Sequence, residues 1–290
     1  MLPARFEYHR PSTLEEALGL LDELGDDAKI LAGGMSLIPL MKLRFATPGH
    51  LIDINHLPGL SSMSESDGML RIGGLVRNVA LEDSELMKAR YPAIAAAAPL
   101  ISDPIVRTRG TMGGSLAHAD PAGDWASVMI AVGAQAVARD SSGEQVVPVD
   151  DLLLDTFTTT LQPNQILTEI RVPAAEARSG GTYLKLERKV GDFATVGVAV
   201  QVWMGNGHIA RAGIALTSVG RRNMRAAAAE EFLAGEEPTD KAFGEAAELA
   251  AAAARPVSDH RGSADYKRHV VDVFVQRGLA RAVELARADQ

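Results

Sequence analysis

The chain has 290 residues, 47% hydrophobic and 23% charged, the make-up of a folded globular protein rather than a disordered one. Its net charge of −8 argues against a general nucleic-acid binder, which needs a basic face to meet phosphates. It has no cysteine, so it can carry no disulfide, thiolate zinc site, cysteine nucleophile or iron–sulfur cluster on its own thiolates.

The first ten residues lack the apolar stretch of a secretory signal. Pro11-Ser12-Thr13 then precedes Leu14, Ala17, Leu18 and Leu21, which share one helical face. Ser12 with Glu15, or Thr13 with Glu16, suits a capping box. Lys29–Ala32 reads as a short buried strand running into the glycine-rich Ala32-Gly33-Gly34-Met35-Ser36. Leu37–Leu43 is apolar and starts a helix, with Pro39 confined to its first turn. Leu51–Ile54 and Leu70–Ile72 read as strands, and residues 81–100 as helical, with an alanine-rich segment at 93–98. A second glycine-rich segment, Thr111-Met112-Gly113-Gly114-Ser115, follows, then a helix over Pro121–Val132.

Gln135–Arg139 and Gln145–Val149 suit a hairpin, and Ile166–Val172 a strand closed by Pro173. Residues 174–181 are small and polar, the best candidate for a linker. Beyond them Tyr183–Glu187, Thr195–Val202 and Ile209–Thr217 read as strands, the last two joined at Asn206-Gly207. Helices are expected over 225–234, 240–254 and 263–287. Strands followed by helices make an α+β layout. The uncharged run Ala126–Ala138 is too short to span a bilayer, which takes about 17–25 residues. The expectation is a cytoplasmic protein that does not span a membrane, with attachment to the inner membrane face left open.

No G-x-x-x-x-G-K-[ST] phosphate loop is present. Gly205-Asn206-Gly207-His208-Ile209-Ala210 fits G-x-G-x-x-A but lies between two strands, so it reads as a β-turn. The two paired-glycine segments carry the argument instead. Glycine tolerates positive φ and lets backbone N–H groups approach a ligand. Successive N–H groups form an anion cradle, and a neighbouring hydroxyl adds a donor. Two such segments suit a ligand with two phosphates; the bland alternative is two tight turns.

Around the second segment the sequence runs Arg107-Thr108-Arg109-Gly110-Thr111-Met112-Gly113-Gly114-Ser115, then Ala117-His118-Ala119-Asp120-Pro121-Ala122-Gly123-Asp124. Arg188-Lys189-Val190-Gly191-Asp192-Phe193-Ala194 comes later. With these motifs the chain resembles the flavin-binding medium subunits of the molybdenum hydroxylases, the group of carbon monoxide dehydrogenase and xanthine dehydrogenase. The resemblance implies a two-part FAD-binding domain of the vanillyl-alcohol-oxidase type over 1–176, with subdomains of about 1–56 and 57–176. A smaller α+β domain would fill 177–290.

The resemblance further implies that Ala32, Gly33, Gly34, Met35 and Ser36 wrap the FAD diphosphate from one side. Thr111, Gly113, Gly114 and Ser115 would approach from the other. Asp124 would meet a hydroxyl of FAD, since a carboxylate beside a diphosphate is repelled. Relatives commonly carry histidine or glutamine where this chain has Met35, so a polar side-chain role there is in doubt. Lys185 either contacts the flavin or points to solvent. Phe193 either lies near the isoalloxazine ring or packs in a core. Arg107 and Arg109 either neutralise phosphate or make surface pairs. His118, Asp120 and Asp124 fall short of a metal set, and Ser115 lacks the G-x-S-x-G surroundings of a hydrolase nucleophile.

The implied function is electron transfer without a substrate acid or base in this chain. A molybdenum–pterin centre in a large partner subunit would oxidise the substrate. Two [2Fe–2S] clusters in a small partner subunit would pass electrons to FAD, and a quinone, NAD or oxygen would accept them. An assembly with two copies of each of three subunits is expected. A self-sufficient flavin oxidase and a non-catalytic assembly subunit remain as alternatives.

Overall fold

A computed structural model of the chain describes residues 2–288. The first unit contains β1 (Glu7–His9), α1 (Leu14–Leu24), β2 (Ala28–Leu31), α2 (Leu37–Leu43) and β3 (His50–Asp53). Its strands form a parallel sheet in the order β1-β3-β2. Thr13 caps α1 by accepting from the Glu16 N–H at 3.1 Å. Glu16 reaches back to the Ser12 N–H and hydroxyl, at 2.7 and 2.9 Å. The capping box is thus shared between the two hydroxyl residues. Ala17, Leu18 and Leu21 bury against Ile52 and Ile54.

The second unit begins with β4 (Met63–Ser66), β5 (Met69–Gly73), α3 (Asn78–Asp83), α4 (Glu85–Arg90) and α5 (Pro92–Ala97). It continues through α6 (Pro104–Arg109), α7 (Met112–His118), α8 (Asp124–Ala131), β6 (Gln135–Asp140) and β7 (Gly143–Pro148). The short α9 (Val149–Leu152), β8 (Leu153–Asp155) and β9 (Thr158–Thr159) lead into β10 (Ile166–Pro173). β4-β5-β10-β6-β7 form one antiparallel sheet. The residues expected to be helical over 81–100 are largely helical, but in short successive helices. Ser84 leaves the helical region to cap α4, and Pro92 holds Tyr91 away from it. The helix expected from Pro121 begins only at Asp124.

The third unit holds β11 (Ser179–Leu186), β12 (Val196–Gly205), β13 (His208–Thr217), β14 (Met224–Arg225), α10 (Ala227–Leu233), α11 (Asp240–Ala253) and α12 (Ala264–Ala288). Asn206 and Gly207 turn the β12–β13 hairpin with φ of 52 and 84°, the primed-turn geometry that matches strand twist. The linker expected over 174–181 is shorter, because Gly180 and Gly181 already lie inside β11. A Cβ on Gly180 would strike the Ala282 carbonyl of α12.

The alternation of β12 and β13 sorts two cores. Val196, Val198, Val200, Val202 and Ile214 bury in one core with α10, α11 and α12. Ala199 and Ala215, on the other face, join the large core of the second unit with Trp125, Met129 and Ile94. Gly213 on that face lies so close to α8 that a Cβ would strike the Ala131 carbonyl. Among the described residues no helix is long and apolar enough to cross a membrane.

Candidate functional site: two glycine segments brought together

β2 and β3 run parallel, and their carboxyl ends deliver Leu31 and Asp53 side by side. The first glycine segment leaves the end of β2 and enters α2. Gly34 has φ of 75°, a conformation that favours glycine. Among the described residues, the N–H groups of Gly33, Gly34, Met35 and Ser36 meet no backbone acceptor. Ser36 is exposed and makes no side-chain capping bond. Met35 is half-buried.

The second segment differs from the loop expected there. Thr111 caps α7, accepting from the Gly114 N–H at 3.0 Å, so Gly113, Gly114 and Ser115 belong to the helix. Gly113 is required by packing: a Cβ would sit 2.5 Å from the Gly74 carbonyl. Gly33 has an equivalent need, since a Cβ would strike the carbonyl of Arg109. A Cβ on Gly114 would lie 3.8 Å from the Ala32 methyl. The two segments therefore touch across the junction of the first and second units.

Asn55 and Arg77, which the motifs did not single out, hold this junction. Asn55 Nδ2 donates to the Ala32 carbonyl at 2.8 Å and to Asp53 Oδ1 at 2.6 Å. Asp53 Oδ2 in turn accepts from the Tyr8 hydroxyl at 2.5 Å. Arg77 donates to Asn55 Oδ1 and to the Arg109 carbonyl, the latter at 2.7 Å. Its backbone bridges Thr111, and the Asn78 N–H donates to the Gly110 carbonyl at 3.0 Å. Desolvation, then the neighbouring Arg109 cation, lowers the Arg77 pKa. Two guanidinium groups and the Asp53 carboxylate thus meet at the junction, where the cations outnumber the anion by one. The only advance signal for Asn55 and Arg77 was position, each shortly after a strand end.

The remaining expected residues divide. Asp124 is buried at the start of α8 and accepts from the Tyr183 hydroxyl at 2.6 Å and Lys185 Nζ at 3.0 Å. Lys185 also donates to the Leu100 carbonyl at 2.8 Å. Its side chain is 1% exposed, so the solvent-facing alternative fails. Burial pushes the Asp124 carboxyl up, against the pull of Lys185 and Tyr183. Burial and the Asp124 charge hold the Tyr183 phenol well above its ordinary value. Each Asp124 oxygen has one protein donor and keeps a second acceptor lone pair, so the expected bond to a hydroxyl of FAD stays compatible with this pairing.

Phe193 is 54% exposed, against the core-packing alternative, on a loop pinned by Arg261 at the Phe193 carbonyl, 2.9 Å away. Arg107 is buried and pairs with Glu82 through two nitrogens, at 2.6 and 3.2 Å, so it is no phosphate ligand. His118 stacks on Phe157, with centroids 5.0 Å apart. Its burial lowers its pKa. Asp124 is committed to Tyr183 and Lys185, so a Ser115–His118–Asp124 triad does not assemble.

The fit to a dinucleotide is a test of this geometry. Free N–H groups at 33–36, the unbonded Ser36 side chain and the two nearby cations are the donors that a diphosphate needs. The family described as "FAD binding domain in molybdopterin dehydrogenase" matches residues 4–175. The chain belongs to this family of FAD-binding subunits of molybdenum hydroxylases. The "CO dehydrogenase flavoprotein C-terminal domain" matches residues 181–282.

Among the relatives of these FAD-binding subunits, the carbon monoxide dehydrogenase medium chain of Hydrogenophaga pseudoflava is 44% identical, over 96% of this chain and 97% of its own. The 6-hydroxypseudooxynicotine dehydrogenase complex subunit alpha of Paenarthrobacter nicotinovorans is 37% identical, over 99% and 97%. A solved carbon monoxide dehydrogenase from H. pseudoflava, lacking the Mo-pyranopterin moiety of its cofactor, superposes with a TM-score of 0.95 at 46% identity. It covers 97% of this chain and 98% of that chain. Quinoline 2-oxidoreductase from Pseudomonas putida 86 gives 0.91 at 30% identity, over 99% of both. The chain is an FAD-binding subunit of an oxidoreductase.

Proposed function

We propose that this chain is the FAD-carrying electron-transfer subunit of a molybdenum-containing hydroxylase or dehydrogenase. The observation that carries this reading is the meeting of two glycine segments at a junction with unbonded N–H groups and two guanidinium groups. Ala32–Ser36 hold the diphosphate through backbone N–H groups and the Ser36 hydroxyl. Thr111, Gly113, Gly114 and Ser115 close the site from the second unit. Arg77 and Arg109 offset the phosphate charge. Phe193, exposed on its loop, faces the flavin ring. Lys185 and Asp124 pair between the third and second units, and Asp124 keeps an acceptor lone pair for a hydroxyl of FAD.

Bound FAD supplies the ability to take electrons singly and give them up in pairs. This chain's own groups bind and orient it. With no cysteine, the chain leaves cluster binding to a small iron–sulfur subunit. A large molybdenum–pterin subunit oxidises the substrate, and a quinone, NAD or oxygen takes the electrons. Two copies of each subunit make up the assembly. The test is to purify the chain, denature it and measure released flavin. About one FAD per chain is expected, and a folded protein with no affinity for added FAD overturns the reading. Co-purification of the two partners tests the electron path.

A further inference from the structure

We propose that Glu7, His9 and His50 form a binding site for a divalent transition-metal cation of the zinc class. Glu7 and His9 flank Tyr8 on β1, so both project from the same face of the strand. The parallel register sets His50 of β3 opposite Glu7. One ligand atom from each of the three lies within 4.8 Å of the others. His9 Nε2 is 3.0 Å from His50 Nδ1, and Glu7 Oε2 is 3.6 Å from the same nitrogen. Tetrahedral bonds of about 2.0–2.1 Å place ligand atoms roughly 3.3 Å apart. The two separations bracket that distance.

The donor set has the right chemistry. Two imidazoles and a carboxylate bind zinc with a fourth position left for water. Imidazole nitrogen favours zinc, copper or nickel over magnesium and calcium. The Glu7 side chain is 76% exposed and that of His50 22%, so a cation can reach the face from solvent.

A further carboxylate stands near the other ring nitrogen of His50. Asp27 Oδ2 stands 3.9 Å from its Nε2, on the side away from the other two ligands. Asp27 is itself fixed, because its Oδ1 accepts from the Gly49 N–H at 2.9 Å. Gly49 leaves the room that Asp27 occupies; a Cβ there would strike Oδ2. A carboxylate that accepts a hydrogen bond from one ring N–H leaves the other nitrogen's lone pair for a metal. At 3.9 Å Asp27 makes no hydrogen bond to His50, and it would act as a positioning residue by closing to hydrogen-bond distance when the cation binds. The bound cation would tie β1 to β3 through side chains, in addition to their parallel backbone ladder over Glu7–His9 and the Glu7 N–H bond to the Gly49 carbonyl at 2.7 Å.

The competing account is a plain His9–His50 hydrogen bond with Glu7 as a neighbour. Titration of the tag-free, chelator-treated full chain with zinc chloride by calorimetry separates the two. One zinc per chain is expected, with a rise in Tm. Cobalt(II) should give the intense visible band of a four-coordinate site. His9→Gln and His50→Gln should remove the stoichiometric zinc, whereas His208→Gln, remote on the β13 turn, should keep it. Asp27→Asn keeps an acceptor for Gly49 and should weaken zinc by about 10- to 100-fold. Glu7→Gln, on an exposed side chain, guards against misfolding of the histidine variants and should also bind zinc more weakly. Absence of stoichiometric zinc in the wild-type chain, or full retention in His50→Gln, overturns the proposal.

Discussion

Ser36 and Lys185 show how a residue's neighbours decide its task. Both were candidate cofactor contacts by motif, yet their surroundings differ. Ser36 is exposed with its side chain unbonded, so removing the hydroxyl costs the protein little. Ser36→Ala should weaken FAD binding about tenfold, the value of one hydrogen bond to a charged group at about 1.5 kcal/mol. Flavin-fluorescence titration measures this, and the Tm of the flavin-free protein should not move. Lys185 is sealed among Asp124, Glu187 and the Leu100 carbonyl. Lys185→Met should destabilise the fold by about 3–5 kcal/mol, because it strands a buried carboxylate.

That loss has a pH signature. The Asp124 pKa is already raised in the folded state, and removing Lys185 raises it further. The folded form then holds a proton that the unfolded chain has released. Stability contributed by this group therefore falls as pH climbs from the ordinary aspartate value of 3.8 through the raised folded value. The deficit of Lys185→Met relative to wild type should be smallest in acid and grow toward neutrality. Urea unfolding of both proteins at several pH values checks the sign.

At the scale of elements, local chemistry was legible wherever one residue type dictated the backbone. Asn206-Gly207 announced its turn, and Thr13 its helix start. The paired glycines were legible as special positions, but for a reason that was incomplete. Only Gly34 uses positive φ; Gly33 and Gly113 are glycine because another segment's carbonyl fills the space of a Cβ. That need arises from residues far away in sequence, such as Arg109 opposite Gly33, and no local pattern encodes it. The same holds for Asn55 and Arg77, ordinary polar residues until the fold sets them between the two segments. The helical character of 81–100 was legible, while its division into short helices at Ser84 and Pro92 comes from breaks that are local and strong.

For the whole molecule, both junctions between the three units mix polar and apolar contacts; Leu60, Leu75 and Ile166, for instance, share one apolar cluster with the first unit's Leu18 and Ile52. A polar network of Tyr8, Asp53, Asn55 and Arg77 connects the first to the second. The second and third share an apolar core in which Ala199 and Ala215 meet Trp125 and Met129. Gly213 lies at the tightest point of that contact. Gly213→Ala should cost about 1–3 kcal/mol through overpacking against the Ala131 carbonyl. Scanning calorimetry should show a lower Tm, with the loss shared by both units since they melt through one core. The closeness at Gly213 also limits how such proteins can be recombined. A hybrid taking its first 178 residues from one relative and the rest from another inherits a helix and a sheet that never fitted each other. Such swaps should succeed only between parents with matching small residues at both faces of this seam, whatever their identity elsewhere.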